Sequence, residues 1–566
     1  MFENQSPVYD HSKSYVSGSR VVPDSQARRR NMVCKKTKAT LKIAILVIVS
    51  IFTLGSMSWA ATYYVSGSNG NDGNPGTLSS PWRTISKANS SLKAGDTVFI
   101  RAGNYNEPIR PTNSGSSNSR ITYKNYNNDT VTISNIDCGI ELNGKHYITI
   151  DGIKFTNIDK YANMSDTSYC YLQNLVIGPQ RNHDRWEGIY SPNSSYNRIQ
   201  NCTIYGYGDI IGTTDRGDMV YVGEHPSPGN THHWLIENNH MYHGGHNVIS
   251  FAGHHNILRN NYFHNEGWYN GEGNRIFELK NLGTGEGSGY RNLIEGNRFA
   301  FNEAAPDAPT NSKAIQHQNR DSIYRKNMFY HLVGPGLHLV TNNEQPGPDV
   351  DNNYVYHNNF FNTGLSPAGS EYQSGLTVTG RNNGIDYVYI KNNIFNEING
   401  SPIKILQDVQ YVTRAGNWED TGNPGWTDAV SSRLDVSNRD YPDFTLTSNS
   451  PCIDNGTWLT TTSSSGSGIV MKVENAQYFM DGWGIPGVEG DIIQLENQSS
   501  TARIVSVDYN TNVLTLDTPL TWTAGQGLAL QYGGSAPDQG AFESGLSAPG
   551  DNPISLSPPI NLRVMN

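Results

Sequence analysis

The stretch "HHNILRNNYFHNEG" (254–267) decides how this chain is read, because its kernel of aliphatic residue, polar step, asparagine and aromatic residue recurs elsewhere. Versions of it are "LIENNHMYHGG" (235–245), "LIEGNRFAFNE" (293–303), "IYRKNMFYHLV" (323–333), "VYHNNFFNTG" (355–364) and "YIKNNIFNEING" (389–400). Pairing the first apolar residue of each copy with the one five positions later gives Ile150/Phe155, Leu172/Ile177, Ile199/Ile204, Ile236/Met241, Leu258/Phe263, Ile294/Phe299, Tyr324/Phe329, Tyr356/Phe361 and Ile390/Phe395. Successive copies start 22, 27, 37, 22, 36, 30, 32 and 34 residues apart. A floor of 22 met twice, with larger values elsewhere, describes a fixed coil carrying insertions of variable length.

Three short strands and their bends need about that much chain to close one turn of a parallel β-helix. Like positions then stack on themselves. The apolar pair lines the interior, while Asn239, Asn261, Asn297, Asn327, Asn359 and Asn393 take the bend, where an amide bonds nearby backbone and left-handed geometry is tolerated. Cys202 replaces the bend asparagine of its copy and reads as a small buried residue. The expected class is all-β.

Composition agrees: Gly 57, Tyr 32 and only 16% charged residues suit a turn-rich β protein. Within residues 1–60, "MVCKKTKATLKIAILVIVSIFTLGSMSWA" (32–60) has a basic start, an apolar run from Ile43 to Leu54, and small residues Ser58 and Ala60 at a cleavage point. It reads as a secretory signal whose true start is Met32; an uncleaved anchor is the alternative, but the run is short for a span. Removal of residues 1–60 takes away nine Lys or Arg and three Asp or Glu, leaving 32 basic against 48 acidic residues, net −16. That charge argues against a nucleic-acid partner. A secreted or cell-surface monomer without stable membrane insertion is expected. Cys138, Cys170, Cys202 and Cys452 are spaced too widely for a zinc site or a dense disulfide framework, so packed thiols or one incidental bridge are expected.

The recurring asparagine, with the opening "TYYVSGSNGNDGNPGTLSSPWRTISKANSSLKAGDTVFIRAGNYNE" (62–107), resembles the secreted pectate-lyase-like, right-handed parallel β-helix proteins over roughly residues 62–455. The resemblance implies that "WRTISKANSSL" (82–92) is a short amphipathic helix plugging the coil end, before a turn at Gly95-Asp96. The β-helix is set at 61–460. "TTTSSSGSG" (460–468) reads as a flexible linker, and 461–533 alternates like a small β-barrel or sandwich. "SPCIDNG" (450–456) and "APDQGAFE" (536–543) look like halves of one closing motif, making the small domain an insertion and 534–545 the closing segment. Residues 546–566 form a Pro-rich tail.

A second recurring strand, "MVYVGE", "NVISFAG", "RIFELKN", "AIQHQN", "GLHLVTN", "GLTVTGRN" and "PIKILQD", stacks into one sheet around which the insertions fall. Loops flanking one sheet build a groove suited to an extended polymer. In "RIFELKN", Phe277 and Leu279 point inward, leaving Ile276, Glu278 and Lys280 outward. The next strand offers Gln316, His317, Gln318 and, beyond it, Arg320. With Ile315 inward His317 is inward too; a register one residue different would turn it out.

"FELKN", "YRNLIEGNRF" and "AIQHQNRD" in that order resemble, more weakly, β-helix alginate and chondroitin lyases. That resemblance implies Lys280 as base and Arg320 as neutraliser of a uronate carboxylate, with Glu278 and His317 beside them. The chain departs from it where an Arg-His pair is expected and Gln316-His317 stands. β-Elimination asks for these types because a proton next to a carboxylate is poorly acidic until positive charge binds the developing enolate. Ca²⁺ is a candidate cation, held by loop Asn and Asp, although no EF-hand-like spacing is present. Tyr221, Trp268, Tyr269, Gln316, Gln318 and His338 are candidate substrate contacts, with Trp234 a further aromatic platform.

The competing chemistry is glycoside hydrolysis, for which "TTDRGDMVYVGEH" (213–225) supplies Asp215, Asp218 and Glu224 near the same strands. The third reading is non-catalytic, a surface glycan-binding or adhesin protein. Nine histidines between His225 and His264 show no zinc-peptidase spacing and read as loop or bend residues.

Overall fold

The computed structural model describes residues 60–181, 187–208, 217–223, 230–265, 275–279, 289–302, 312–341, 350–366, 372–381, 384–429 and 442–546. Residues 1–59 of the leader and 547–566 of the Pro-rich tail lie outside them. Among the described residues no helix is long and apolar enough to cross a membrane.

Three long parallel sheets are stacked in strict sequence order, each strand pairing with its counterpart one coil earlier and one coil later. In the first sheet Ile150, Leu172, Ile199, Ile236, Leu258, Ile294, Tyr324, Val355 and Ile390 are successive partners. The second sheet runs Phe155, Ile177, Ile204, Met241, Phe263, Phe299, Phe329, Phe360 and Phe395. From Phe263 onward these rings stack with centroids 5.2, 5.2, 4.7 and 4.6 Å apart. The coil interior is thus a column of like side chains, as the repeat requires.

One copy corrects the expected register. In "VYHNNFF" the inward residues are Val355 and Phe360, not Tyr356 and Phe361, and the bend asparagine is Asn358, not Asn359. All three positions are doubled by a similar neighbour, so a one-residue slip leaves the pattern unchanged to the eye. Tyr356 instead faces outward and donates to Tyr478 O at 2.6 Å, away from the coil core.

The bend asparagines form a continuous hydrogen-bonded column. Asn297 shows the unit: its Oδ1 accepts from Asn261 N and Nδ2, at 3.0 and 2.9 Å, and its Nδ2 donates to Leu258 O at 2.9 Å and Asn327 Oδ1 at 3.1 Å. The residue before each column member adopts the left-handed conformation, φ 57° at Asn238, 56° at Asn260, 56° at Lys326 and 54° at Asn392. This explains the doubled asparagine: the first supplies the backbone kink and the second the buried amide. Cys202 sits in the column with its backbone N–H bonded to Asn239 Oδ1 at 2.9 Å, and burial pushes its thiol up to about 12. Cys138, Cys170 and Cys452 are likewise free thiols.

At the N-terminal end the helix Ile85–Ser91 buries Ile85 and Ala88, and Thr84 Oγ1 caps it by accepting from Lys87 N at 3.0 Å. In the C-terminal part of the chain an antiparallel sheet orders the strands Thr460–Thr461, Gly527–Leu530, Ile492–Leu495, Thr501–Asp508, Val513–Trp522 and Gly466–Lys472. The expected flexible linker is therefore part of this sheet. Thr460 pairs with Leu528 and Gly466 with Trp522, whose ring leaves no room for a Cβ at Gly466, the nearest ring atom being 2.8 Å away.

This small unit packs on the outer face of the first sheet, where Leu235, Ile257, Leu293, Ile323 and Tyr354 join its core. Arg325, 2% exposed, pins it by donating to both Asp491 oxygens at 2.8 and 2.6 Å. The chain then returns to the coil, with Gly540 N donating to Asn392 O at 2.7 Å and Ala541 N to Asn359 Oδ1 at 3.1 Å.

Removing one amide from the column strands a buried N–H and a buried C=O, each costing about 1–3 kcal/mol. Asn297→Ala is expected to lower stability by roughly 3 kcal/mol, read as a lower urea midpoint, whereas Cys202→Asn extends the column and leaves the midpoint unchanged or higher. Buried imidazoles add a pH dependence. Burial holds His317 and His357 down at about 3 and His331 at about 4, so below pH 6.5 the unfolded chain binds protons that the folded chain refuses. Glu543, pushed up to about 8 by burial beside Asp538, acts in the opposite sense, as do Asp538 and Asp321, but these carboxyls are outnumbered by the imidazoles, since burial also lowers His232, His233, His254 and His255. The urea midpoint is expected to fall steadily from pH 6.5 to 4; a flat profile there would mean that these rings are solvated.

Candidate functional site

The third sheet carries the strands expected to hold chemistry, among them Asp218–Val222, Asn247–Phe251, Arg275–Leu279, Lys313–His317, Leu337–Val340 and Ser374–Thr379. Their inward residues are apolar, Phe277, Ile315, Leu337 and Leu376 among them. Ile276, expected outward, is also in the core, because Val248, Ile276 and Ala314 interrupt the ladder with two consecutive inward residues. Outward residues on these strands are consequently three apart: Asn247 Nδ2 donates to Ser250 Oγ at 3.0 Å, and Ser374 Oγ lies 2.6 Å from Thr377 Oγ1.

One outward row runs Tyr190, Tyr221, Ser250, Glu278, Gln316, His338, Thr377 and Lys404 in successive register. It is polar, yet Tyr221, Ser250, Glu278, Gln316, His338 and Thr377 are each no more than 9% exposed. A solvated strand face leaves such groups in water; this row is built like an interior, where polar groups are held by partners. Glu278 is gripped by two amides, Gln316 Nε2 at 2.9 Å from Oε1 and Asn247 Nδ2 at 3.2 Å from Oε2. The same Asn247 nitrogen donates to Asp218 Oδ1 at 2.8 Å, and His246 Nδ1 lies 3.2 Å from that oxygen. Two buried carboxylates 60 residues apart in sequence therefore meet at one amide, their nearest oxygens separated by no more than about 6 Å.

Asn247 is not satisfied in this orientation. Its nitrogen, with two hydrogens, faces four acceptors, Asp218, Glu278, Ser250 and His246 Nδ1, while its buried Oδ1 has no partner among the described residues. Turned over, the amide puts Oδ1 among two carboxylate oxygens and a hydroxyl, a set of hard oxygen donors of the kind Ca²⁺ takes. Among the described residues no group of three His, Cys, Asp or Glu could hold a metal, so such a site rests on amide and hydroxyl oxygens beside the two acids.

The remaining expected residues divide. Gln316 touches Glu278, and Tyr221 and His338 share its row, His338 Nε2 lying 3.0 Å from Thr379 Oγ1. Gln318 is buried beyond the strand end, its N–H donating to Leu279 O at 3.0 Å. His317 points into the coil, fully buried and bonded to Asn319 O and the Tyr324 hydroxyl, so it cannot face a substrate in this row. Arg320 sits past the bend, in a corner row after His232, His254 and Tyr290, with its guanidinium 5.6 Å from the Tyr290 ring and 3.9 Å from Asp321. Trp234 is core, its Nε1 donating to Ser194 O at 3.2 Å. Asp215, Glu224, Trp268, Tyr269 and Lys280 lie outside the described residues.

Asn247 was not among the expected site residues. The signal for it was register: carrying the Asp218 position forward one coil lands on it. The histidines His233, His243 and His255 do occupy bends, with φ 58°, 57° and 54°.

Residues 63–233 match a family profile described as "Pel9A-like, right handed beta helix region", which agrees with the parallel coil seen over that span. The Bacillus subtilis (strain 168) protein YwoF, itself described as uncharacterized, is 32% identical over 126 residues, 21% of this chain and 27% of that protein. Pectate lyase Pel9A is similar at 14% identity, covering 86% of this chain and 97% of that one, TM-score 0.41. Rhamnogalacturonan lyase aligns at 14% identity over 69% of this chain and 95% of its own, TM-score 0.39. An alginate lyase from Paenibacillus sp. str. FPU-7 aligns at 17% identity over 46% of this chain and 95% of its own, TM-score 0.31.

Proposed function

We propose that this protein acts outside the cell, as a monomer, on a uronate-bearing polysaccharide, and that it cleaves the chain by β-elimination along the third sheet. The observation that carries the reading is the carboxylate pair of Asp218 and Glu278 drawn together by Asn247 in a buried polar row. Support also comes from the family profile over residues 63–233, named after a protein described as a pectate lyase.

Lys280 is the base in this reading. It follows Glu278 by two residues in the sequence and lies outside the described residues, so its role rests on the lyase resemblance. The neutral amine takes the proton next to the uronate carboxylate, that C–H electron pair becomes the new C=C bond, and the glycosidic oxygen leaves with a proton from water. The carboxylate holder is not Arg320, which stands in the corner row beyond the bend. Asp218, Glu278 and the oxygens of Asn247 and Ser250 are the residues that would hold Ca²⁺. A cation there supplies positive charge against the substrate carboxylate as the enolate develops. Gln316 keeps Glu278 oriented, and Tyr221 and His338 extend the row on either side for neighbouring sugar units.

The same pair favours a second reading, hydrolysis, because retaining glycosidases place their two carboxyl groups about 5–5.5 Å apart. The two chemistries part at the product. Incubation with polygalacturonate, alginate, chondroitin and xylan, followed by ultraviolet absorbance and reducing ends, is expected to show unsaturated product from an acidic substrate. Lys280→Ala should lower that rate at least about 100-fold, and a calcium chelator, Asp218→Asn and Glu278→Gln should each do the same. Saturated reducing ends that vanish in Asp218→Asn and Glu278→Gln but persist in Lys280→Ala would transfer the case to hydrolysis. Binding without chain shortening on any of the four substrates would leave a glycan-binding protein.

A further inference from the structure

A second site lies where the small antiparallel unit meets the corner of the coil. A cleft of about 450 Å³ opens there between His233, His255 and Arg291 of the coil and Asp481, Trp483 and Tyr509 of the small unit. The coil supplies a prepared wall. Tyr147, Tyr169, Tyr196, His233 and His255 occupy one left-handed corner position in successive coils and stack with centroids 4.7, 4.8, 4.7 and 5.1 Å apart. The stack ends at Arg291, the next residue in that corner, which takes φ 53°.

The small unit supplies the opposite wall, and it is rigid. Trp483 meets His255 edge to face at 5.3 Å and donates from Nε1 to the Tyr509 hydroxyl at 2.9 Å, which in turn donates to Phe479 O at 3.0 Å. The charges are unequal in availability. Asp481 is engaged by its own loop, accepting from Trp483 N at 2.9 Å and Val507 N at 3.0 Å. Arg291 lies 3.9 Å over the Tyr509 ring and gives one long bond from Nη2 to Gln477 Oε1 at 3.3 Å, while its buried Nε has no partner among the described residues. Arg198 repeats the pattern beneath the same loop. Its Nε is also buried and unpartnered, and its Nη2 would stand 3.7 Å from a Cβ at Gly487. Burial lowers His233 to about 4 and His255 to about 2, which leaves them uncharged at neutral pH as hydrogen-bonding walls.

Aromatic surface, neutral polar rings and one weakly engaged arginine, Arg291, form a lining suited to a sugar that carries a carboxylate. We infer that this seam cleft is an auxiliary binding site for acidic oligosaccharide, separate from the third-sheet row and with Arg291 as its charge-reading group. The class of ligand rests on the proposed polysaccharide substrate; the site itself does not. A coil corner next to a rigidly docked domain would hold one stretch of polymer while another lies along the third sheet.

Binding is measured without turnover, in the Glu278→Gln background, by calorimetry with an oligogalacturonate and with a neutral xylo-oligosaccharide of equal length. The acidic probe is expected to bind, the neutral one to bind at least about tenfold more weakly, and affinity to fall as salt rises from about 50 to 300 mM. Arg291→Gln should weaken the acidic probe about tenfold. Gly484→Asn is the steric counterpart: Gly484 lines the cleft at φ 68°, which asparagine tolerates, and a Cβ there meets nothing within 4 Å, so the added side chain narrows the cleft without disturbing the fold. It too should weaken binding, with an unchanged urea midpoint. Equal affinity for the two probes, or acidic binding untouched by both variants, would overturn the inference. Loss of the proposed cleavage activity on other grounds would not, because seam binding would survive it.

Discussion

The structure depends on how a coil without a globular interior satisfies the polar groups at its own bends. In each turn the backbone must leave one sheet and enter the next while buried, which exposes an N–H and a C=O that no strand ladder can take. The asparagine column answers this with one side chain per coil. It accepts from the amide of the coil before and donates both to the next asparagine and to a carbonyl one coil back. The amide thereby fixes each turn on the turn beneath it, and the apolar columns of Ile, Leu and Phe come into register as a consequence. A second column at the bend before the first sheet works the same way, through Asn256, Asn292, Ser322 and Asn353.

How much of this could be read without coordinates follows from the same interaction. The first column was legible because its asparagine is tied to an aliphatic residue before it and an aromatic after it, so the kernel repeats even when the intervening loops change length. The second column was harder to see: its members keep a fixed place two residues before Leu258, Ile294, Tyr324 and Val355, but Ser322 breaks the run of asparagines and no aromatic residue marks their other side. In the first two sheets register failed at Val355 and Phe360, where doubled residues make two alignments equivalent and packing of Tyr356 against the small unit selects one. Glu278 and Gln316 were legible as outward polar residues on adjacent strands and Asp218 as an acid two coils before Glu278, but their convergence was not, since it depends on the two consecutive inward residues around Ile276 that bring positions three apart onto one face. Arg320 shows the converse error. Four residues past Gln316 in sequence, it has already turned the corner into another row, and nearness along the chain says nothing about nearness on a coil face.

The three outer faces are not equivalent, and this narrows where chemistry can reside. The first sheet shows apolar residues to the outside, Leu235, Ile257, Leu293 and Ile323, and the small unit covers them. That face is spent on stability, with Arg325 and Asp491 fastening the cover. The second sheet places Tyr262, Ala300, Met328, Tyr330 and Phe361 outward, where they form a further apolar cluster with Trp426 and Phe444 from the segment that follows the coil. The third sheet differs in kind: its outer rows are carboxylates, amides, hydroxyls and imidazole, buried rather than wetted, and contributed by six consecutive coils. Burying polar side chains costs free energy unless they are partnered, and an apolar row would cover a sheet at lower cost. A stack that covers two faces with hydrophobic surface and keeps amide-held carboxylates on the third has given up stability there.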